Sequence, residues 1–178
     1  LRARFPGQRL VLITLVSWRQ GLVLPRGNPL GLAAADLRRP GLRVAWREAG
    51  AGATGLLLDA LSASDGSYAE PTAGAAPWGG VGLPPGPVCG GHLDVARAVA
   101  SGAADVGVTI EAAAAAFDLE FLPLSEERFD LCVLAADSCR EPIRRVLDAV
   151  DTRGFRAETA AFGGYDVQAT GHATEVGP

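Results

Sequence analysis

Methionine is absent from the chain, which begins at Leu1. The expectation is therefore a fragment of a longer protein. Long apolar runs are absent too. The continuously apolar run at residues 10–16 is too short for a transmembrane helix, which needs about 20 apolar residues. Arg2, Arg4 and Arg9 resemble a basic leader before that run, but Trp18-Arg19-Gln20 follows it where a small-residue cleavage site would stand. Cysteine is scarce. Cys89, Cys132 and Cys139 cannot all pair with one another, and Cys132, within an apolar run, is expected to be a small core residue. The simplest compartment is reducing, so a cytoplasmic location is expected. An excess of basic charge is also missing: 16 Lys and Arg stand against 20 Asp and Glu, a formal charge of -4. That excludes non-specific nucleic-acid binding, which needs a basic surface to neutralise phosphates. An anionic ligand would have to be held by local dipoles and one or two placed cations.

Catalytic signatures are missing as well. There is no nucleophile elbow of the G-x-S-x-G type, no phosphate-binding P-loop and no H-E-x-x-H pair. Ser125-Glu126-Glu127 precedes a strand and reads as a solvated turn. A Cys132 nucleophile is opposed by its apolar flanks. The expectation is a non-enzymatic binding module.

What is present is an alternation of strands and helices. Hydrophobic residues make up 48% of the chain, as in a globular protein. The most informative stretch is 95–108: Val95, Ala98 and Val99 line one face of a helix, Gly102 can take the left-handed turn that ends it, and a short buried strand follows at 105–108. Strands are expected at 10–16, as a central strand buried on both faces, and at 21–24, 42–46 and 128–135, the last through the core. Residues 121–124 read as extended. Helices are expected at 53–61, 93–101, 110–117, 142–150 and 152–161, with a helical turn at 36–39. Residues 64–91, rich in Gly and Pro, read as a long irregular surface loop. Such alternation means an α/β fold. There is no internal repeat and no heptad pattern.

Gly50-Ala51-Gly52, between a strand and a helix, is the leading site candidate. A glycine turn there presents free N–H groups at a helix N-terminus, where the dipole favours an anion. The plain alternative is a tight turn with no ligand. Ala51 and Ala53 bring no hydroxyls, leaving main-chain donors and Thr54. Arg47 and Arg19 could supply a cation for an oxyanion or carboxylate. Arg19 reads better as a surface residue, and Arg47 could equally be paired with Glu48. His92 lies three residues after Cys89, but with His172 the only other histidine the ligand set for zinc is incomplete, and no metal is expected. Asp105 is expected to accept backbone N–H bonds in the turn after Gly102. Tyr165 and Asp166, after Gly163-Gly164, either line a ligand cleft or pack structurally.

Several segments in order carry a family resemblance: Arg19-Gln20-Gly21-Leu22, Gly27-Asn28-Pro29-Leu30-Gly31 with Asp36-Leu37, Arg47-Glu48-Ala49-Gly50-Ala51-Gly52, and His92-Leu93-Asp94-Val95-Ala96. The 102–107 segment, Phe121-Leu122-Pro123-Leu124 with Glu127-Arg128-Phe129-Asp130-Leu131, and Gly163-Gly164-Tyr165-Asp166 complete the set. Together they span nearly the whole chain. The sequence resembles the PBP-like ligand-binding domain, of the type II periplasmic-binding-protein fold, that accompanies molybdate-related transcriptional regulators and molybdopterin-biosynthesis proteins. The resemblance implies an α/β fold with the second lobe at 25–118, hinge and return segments at 8–24 and 119–178, and the first lobe largely missing. It implies a sensor or regulatory domain binding a small oxyanion, molybdate or a similar one, with no other cofactor. Gly50, Ala51, Gly52, Ala53, Thr54, Arg47, His92 and Tyr165 would be its ligand contacts. The family's glycine motif reads G-S-G-T-R, and an ungapped match places Ala51 and Ala53 at the hydroxyl positions and Thr54 at the Arg position. Two alternatives remain: a structural or dimerisation domain that has lost its ligand, and an accessory domain of a molybdopterin-cofactor enzyme. The implied partners are a small anionic ligand, a fused N-terminal helix-turn-helix or enzyme domain, and a second copy of the chain. Neither a membrane nor direct nucleic-acid contact is expected. A missing first lobe would leave apolar surface along 10–16 and around 143–150.

Overall fold

A computed structural model describes residues 4–63 and 83–177. In chain order the elements are β1 (Leu10–Leu24), β2 (Val44–Arg47), α1 (Gly52–Ala63), β3 (Val88–Cys89), α2 (His92–Ala100), β4 (Val106–Ile110), α3 (Glu111–Ala116), β5 (Glu120–Leu134), α4 (Glu141–Val150), α5 (Arg153–Ala161), β6 (Tyr165–Asp166) and β7 (Ala173–Val176). Short 3-10 turns occupy Ala34–Asp36 and Ala135–Asp137. The fold is α/β, as expected. The chain divides into two compact units: residues 19–125, and residues 1–18 with 126–178. The stretch expected as a second lobe, 25–118, falls within the first of these.

In the unit of residues 19–125 the strand order is β3-β2-β4-β1-β5. β2 runs parallel to both β3 and β4, while β1 runs antiparallel to β4, pairing Gln20 with Ile110 and Val23 with Gly107. The period of two along the strands sorts side chains onto two faces. Leu22, Leu24, Val44, Trp46, Val106 and Val108 cluster with Leu57 and Leu61 of α1, and every one of them is at most 2% exposed. Val23 and Ala45 join Val95 and Val99 of α2 in a second cluster. Leu57 and Leu61 are four residues apart, one helical stripe, and so are Val95 and Val99. Gly107 lies where α2 crosses β4: a Cβ there would come within 2.5 Å of the Val95 Cγ1. Helix α2 ends as the sequence implies. Gly102 takes φ +72°, its amide donates to the Val99 carbonyl at 3.0 Å, and the Ala103 amide reaches back to the Ala98 carbonyl at 2.9 Å, the Schellman arrangement.

In the other unit, β1 pairs with β7 through Leu10 to Ile13 and with β6 through Ser17 and Trp18. The Thr170 hydroxyl donates to the Leu15 carbonyl at 2.7 Å, and the Ala135 amide donates to the Arg9 carbonyl at 2.9 Å. Helix α4 has Pro142 in its first turn, as expected, and the Thr152 hydroxyl caps α5 by accepting from the Phe155 amide at 3.1 Å.

Several expectations are corrected. The two strands read at 10–16 and 21–24 are one strand, β1, since Ser17 and Trp18 pair with β6 and Gln20 begins the pairing with β4. Residues 121–124 and 128–135 likewise lie in one strand, β5, which ends at Leu134 and admits Pro123 because it is an edge strand. That strand does not run through the core: of residues 128–134 only Val133 is buried. Cys132 points the opposite way from Val133 and is exposed rather than a core residue. Along 10–16 the apolar surface is partial: Leu10, Ile13 and Val16 are buried, at 2%, 3% and 7% exposed, whereas Val11, Leu12 and Leu15 are half-buried. Around 143–150, Val146 is exposed while Val150 is buried. The reading of 64–91 as one irregular loop fails at its far end, where Val88–Cys89 forms β3; residues 64–82 lie outside the described residues.

Candidate functional site

Arg47, Glu48, Cys89 and His92 of the larger unit gather at the carboxyl ends of β2 and β3. Arg47 closes β2 and its register partner Cys89 closes β3. Each strand then turns through glycine into a helix: Gly50 precedes α1, and Gly90 and Gly91 precede α2. Gly50 takes φ +87°, a backbone state that suits glycine and brings the chain round from β2 into α1. Parallel neighbours thus deliver two helix N-termini to one end of the sheet, where open α/β sheets place ligands.

The turn into α1 is fastened by Thr54. Its hydroxyl lies 3.0 Å from the carbonyls of both Arg47 and Glu48 and donates to them, and the residue is buried. The Ala51 amide donates to the Glu48 carbonyl at 3.2 Å, and the Thr54 amide to that of Ala51 at 2.9 Å. Among the described residues, the amides of Gly52 and Ala53 make no hydrogen bond within the protein. Thr54 is therefore not the ligand donor the sequence left open; its proton holds the loop. Helix α2 is also uncapped, for Gly91 at its N-cap has no side chain to offer. Asp94 in its first turn is paired with Arg97 at 2.7 Å.

Arg47 is the cation of this region. Its side chain is only 12% exposed, and its Nε and Nη2 donate to the two Glu48 carboxylate oxygens at 2.8 and 2.7 Å. That bidentate hydrogen bonding raises the Arg47 pKa, and it draws the Glu48 carboxyl down to about 2, helped by Glu48's own backbone. His92 is half-buried at the start of α2. Burial, and then the positive charge of Arg47, hold its imidazole below the ordinary 6.5, against a smaller opposing pull from Glu48. The Thr109 hydroxyl on β4, wholly buried, lies 3.3 Å from His92 Nδ1 and donates to the His92 carbonyl at 3.0 Å. Burial raises the Cys89 pKa, with the Asp94 carboxylate adding to the effect, so the group stays a thiol. The resulting site combines an Arg–Glu pair, a neutral imidazole, a thiol and two unspent helix amides. It can attract an anion by hydrogen bonding and local dipoles, and it holds no activated nucleophile.

Arg47, His92, Gly50, Ala51, Gly52 and Ala53 are thus brought to one end of one sheet. Arg19 pairs with Glu111 at the start of α3, at 2.8 Å from Nε. Asp105 accepts from the Arg43 backbone amide at 2.8 Å and from its guanidinium, a strand neighbour rather than the turn after Gly102. Tyr165 belongs to the smaller unit, where its ring packs edge-on against Trp18 at 6.1 Å, with Phe129 stacked on Trp18 at 5.4 Å. Thr109 was not legible as a neighbour of His92: only the placement of β4 beneath α2 connects them. Among the described residues, no cluster of three or more His, Cys, Asp or Glu could hold a metal ion.

Residues 1–151 match the family model of the PBP superfamily domain. The chain belongs to the PBP superfamily. It is 30% identical over 166 residues to the Bacillus subtilis (strain 168) protein YvgK, covering 93% of this chain and 50% of that protein. The chain therefore spans about half the length of that relative. A Clostridium pasteurianum protein encoded in the 5' region of a 2Fe-2S ferredoxin gene is 32% identical over 84 residues, covering 47% of this chain and 74% of that one. Among solved structures, a histidine kinase sensor domain with similarity to periplasmic binding proteins superposes with a TM-score of 0.54 at 16% identity, covering 92% of this chain and 65% of that one. An ancestral arginine-binding protein bound to glutamine gives 0.53 at 17% identity, covering 85% and 62%. These structural likenesses establish the fold. No helix of the described residues is long and apolar enough to cross a membrane.

Proposed function

We propose that this PBP-superfamily domain binds a small anion reversibly at the carboxyl ends of β2 and β3, as a non-catalytic sensor or regulatory module. One observation carries the reading: two uncapped helix N-termini open beside a guanidinium that is nearly buried. Unspent N–H groups at a helix start, reinforced by its dipole, favour negative charge, and a shielded Arg supplies planar, bidentate hydrogen bonds. Gly50, Gly52 and Ala53 would contribute backbone contacts, Arg47 charge, and His92 a neutral ring nitrogen. An oxyanion such as molybdate is what the family resemblance suggests. A cytoplasmic setting and self-association belong to the same proposal. A domain that has lost its ligand is the competing reading, favoured by the pairing of Arg47 with Glu48 and by the alanines at 51 and 53.

Calorimetric titration of sodium molybdate into the chain and into Arg47→Gln decides between them. The expected affinity is weak, on the order of 0.1–1 mM, because each solvent-exchanged hydrogen bond nets only about 0.5–1.5 kcal/mol. Arg47→Gln should abolish it. No heat from the unaltered chain at millimolar molybdate would favour the domain that has lost its ligand.

A further inference from the structure

Resting on that reading, we infer that Glu48 is a built-in competitor for Arg47, whose carboxylate a bound anion must displace. The pair is bidentate, Nε to one oxygen and Nη2 to the other, which is how a guanidinium grips a carboxylate or oxyanion ligand. Its two members differ sharply in exposure. The Arg47 side chain is 12% exposed and fixed at the end of β2, whereas that of Glu48 is 51% exposed and can swing into solvent. The Glu48 backbone stays put when it does, because its carbonyl accepts from both the Thr54 hydroxyl and the Ala51 amide. The carboxylate is thus on a short tether anchored beside the cation, and a tethered group acts at an effective concentration around millimolar. A free anion gains access to Arg47 only against that standing occupant. The consequence is a site silent at low anion concentration and selective for anions that bind a guanidinium better than a single carboxylate does.

The test is calorimetric titration of sodium molybdate into the full chain and its Glu48→Gln and Arg47→Gln forms, with thermal unfolding recorded for each. Gln keeps the shape and one hydrogen-bond acceptor but removes the charge. Glu48→Gln should tighten binding about five- to tenfold, the scale set by a partly shielded bidentate ion pair, while its melting temperature stays level or falls. Arg47→Gln should bind no molybdate. Equal or weaker affinity in Glu48→Gln, with binding by the unaltered chain intact, would overturn the competitor role and leave the site standing. Absence of binding in both the unaltered chain and Glu48→Gln would overturn the site and the competitor role together.

Discussion

The imidazole of His92 is placed so that protonating it is unfavourable. It is half-buried, a guanidinium is near, and its Nδ1 is within 3.3 Å of a hydroxyl that has no exposure to solvent. In the unfolded chain the same group protonates at its ordinary 6.5. Between that value and the lower one of the folded state, the unfolded chain binds more protons, so acidification favours unfolding. The stability held by neutral His92 is complete above 6.5 and is lost as the pH falls below it. Glu48 and Asp105 are likewise shifted downward, below 4.5 and 3.8 respectively, so their contributions fail only in more acidic solution and leave this window clear. Melting curves at about pH 7.5 and about pH 5.5 should show a drop for the unaltered chain and a smaller one for His92→Gln. An equal drop in both would mean that His92 protonates as freely folded as unfolded.

Where β1 meets β5 in the larger unit, the approach is closer than side chains allow. A Cβ on Gly21 would come within 2.1 Å of the Leu122 carbonyl oxygen, which is backbone and cannot swing away. Gly21→Ala should therefore destabilise the fold by about 1–3 kcal/mol or more, read from chemical denaturation. An unchanged midpoint would show that the two strands separate at no cost. Gly21 also explains how far the elements were legible. Helix α2, its Gly102 stop and strand β4 were readable because a 3.6-residue stripe, a left-handed glycine and a short apolar run coincide within 95–108. Strand β1 reads as two in the sequence because Trp18-Arg19-Gln20 interrupts its apolar run. The pairing that carries it through comes from β6, nearly 150 residues away, and from β4. Strand β3 has two residues and no side-chain pattern to betray it; it forms because Val88 and Cys89 lie parallel to Trp46 and Arg47. Cys132 reads as a core residue because its neighbours are apolar, but on an edge strand alternate residues face outward. At the site, the glycine turn was plain from local spacing. The bidentate hold of Glu48 on Arg47 and the place of Thr109 under His92 depend on tertiary geometry.

At the scale of the molecule, the larger unit supplies a sheet with helices against both faces, and its parallel strands β2 and β3 end in glycine turns at one edge of that layer. The smaller unit is built from the two ends of the chain, with Leu10, Ile13, Val16, Val133 and Val150 buried. Membership of the PBP superfamily fits this layout, and the acidic balance of the chain leaves anion recognition to local groups rather than to the overall field. The central proposal is that the unspent amides of Gly52 and Ala53 at the start of α1, beside the uncapped start of α2, take up an anion. Nitrogen-15 amide spectra recorded during a molybdate titration address it residue by residue. The account predicts saturable shifts concentrated at Gly50, Gly52, Ala53, Gly91 and His92, with the Arg47 Nε signal moving alongside. Shifts scattered over surface arginines such as Arg144 and Arg145, or no movement of the α1 and α2 amides at millimolar molybdate, would contradict it.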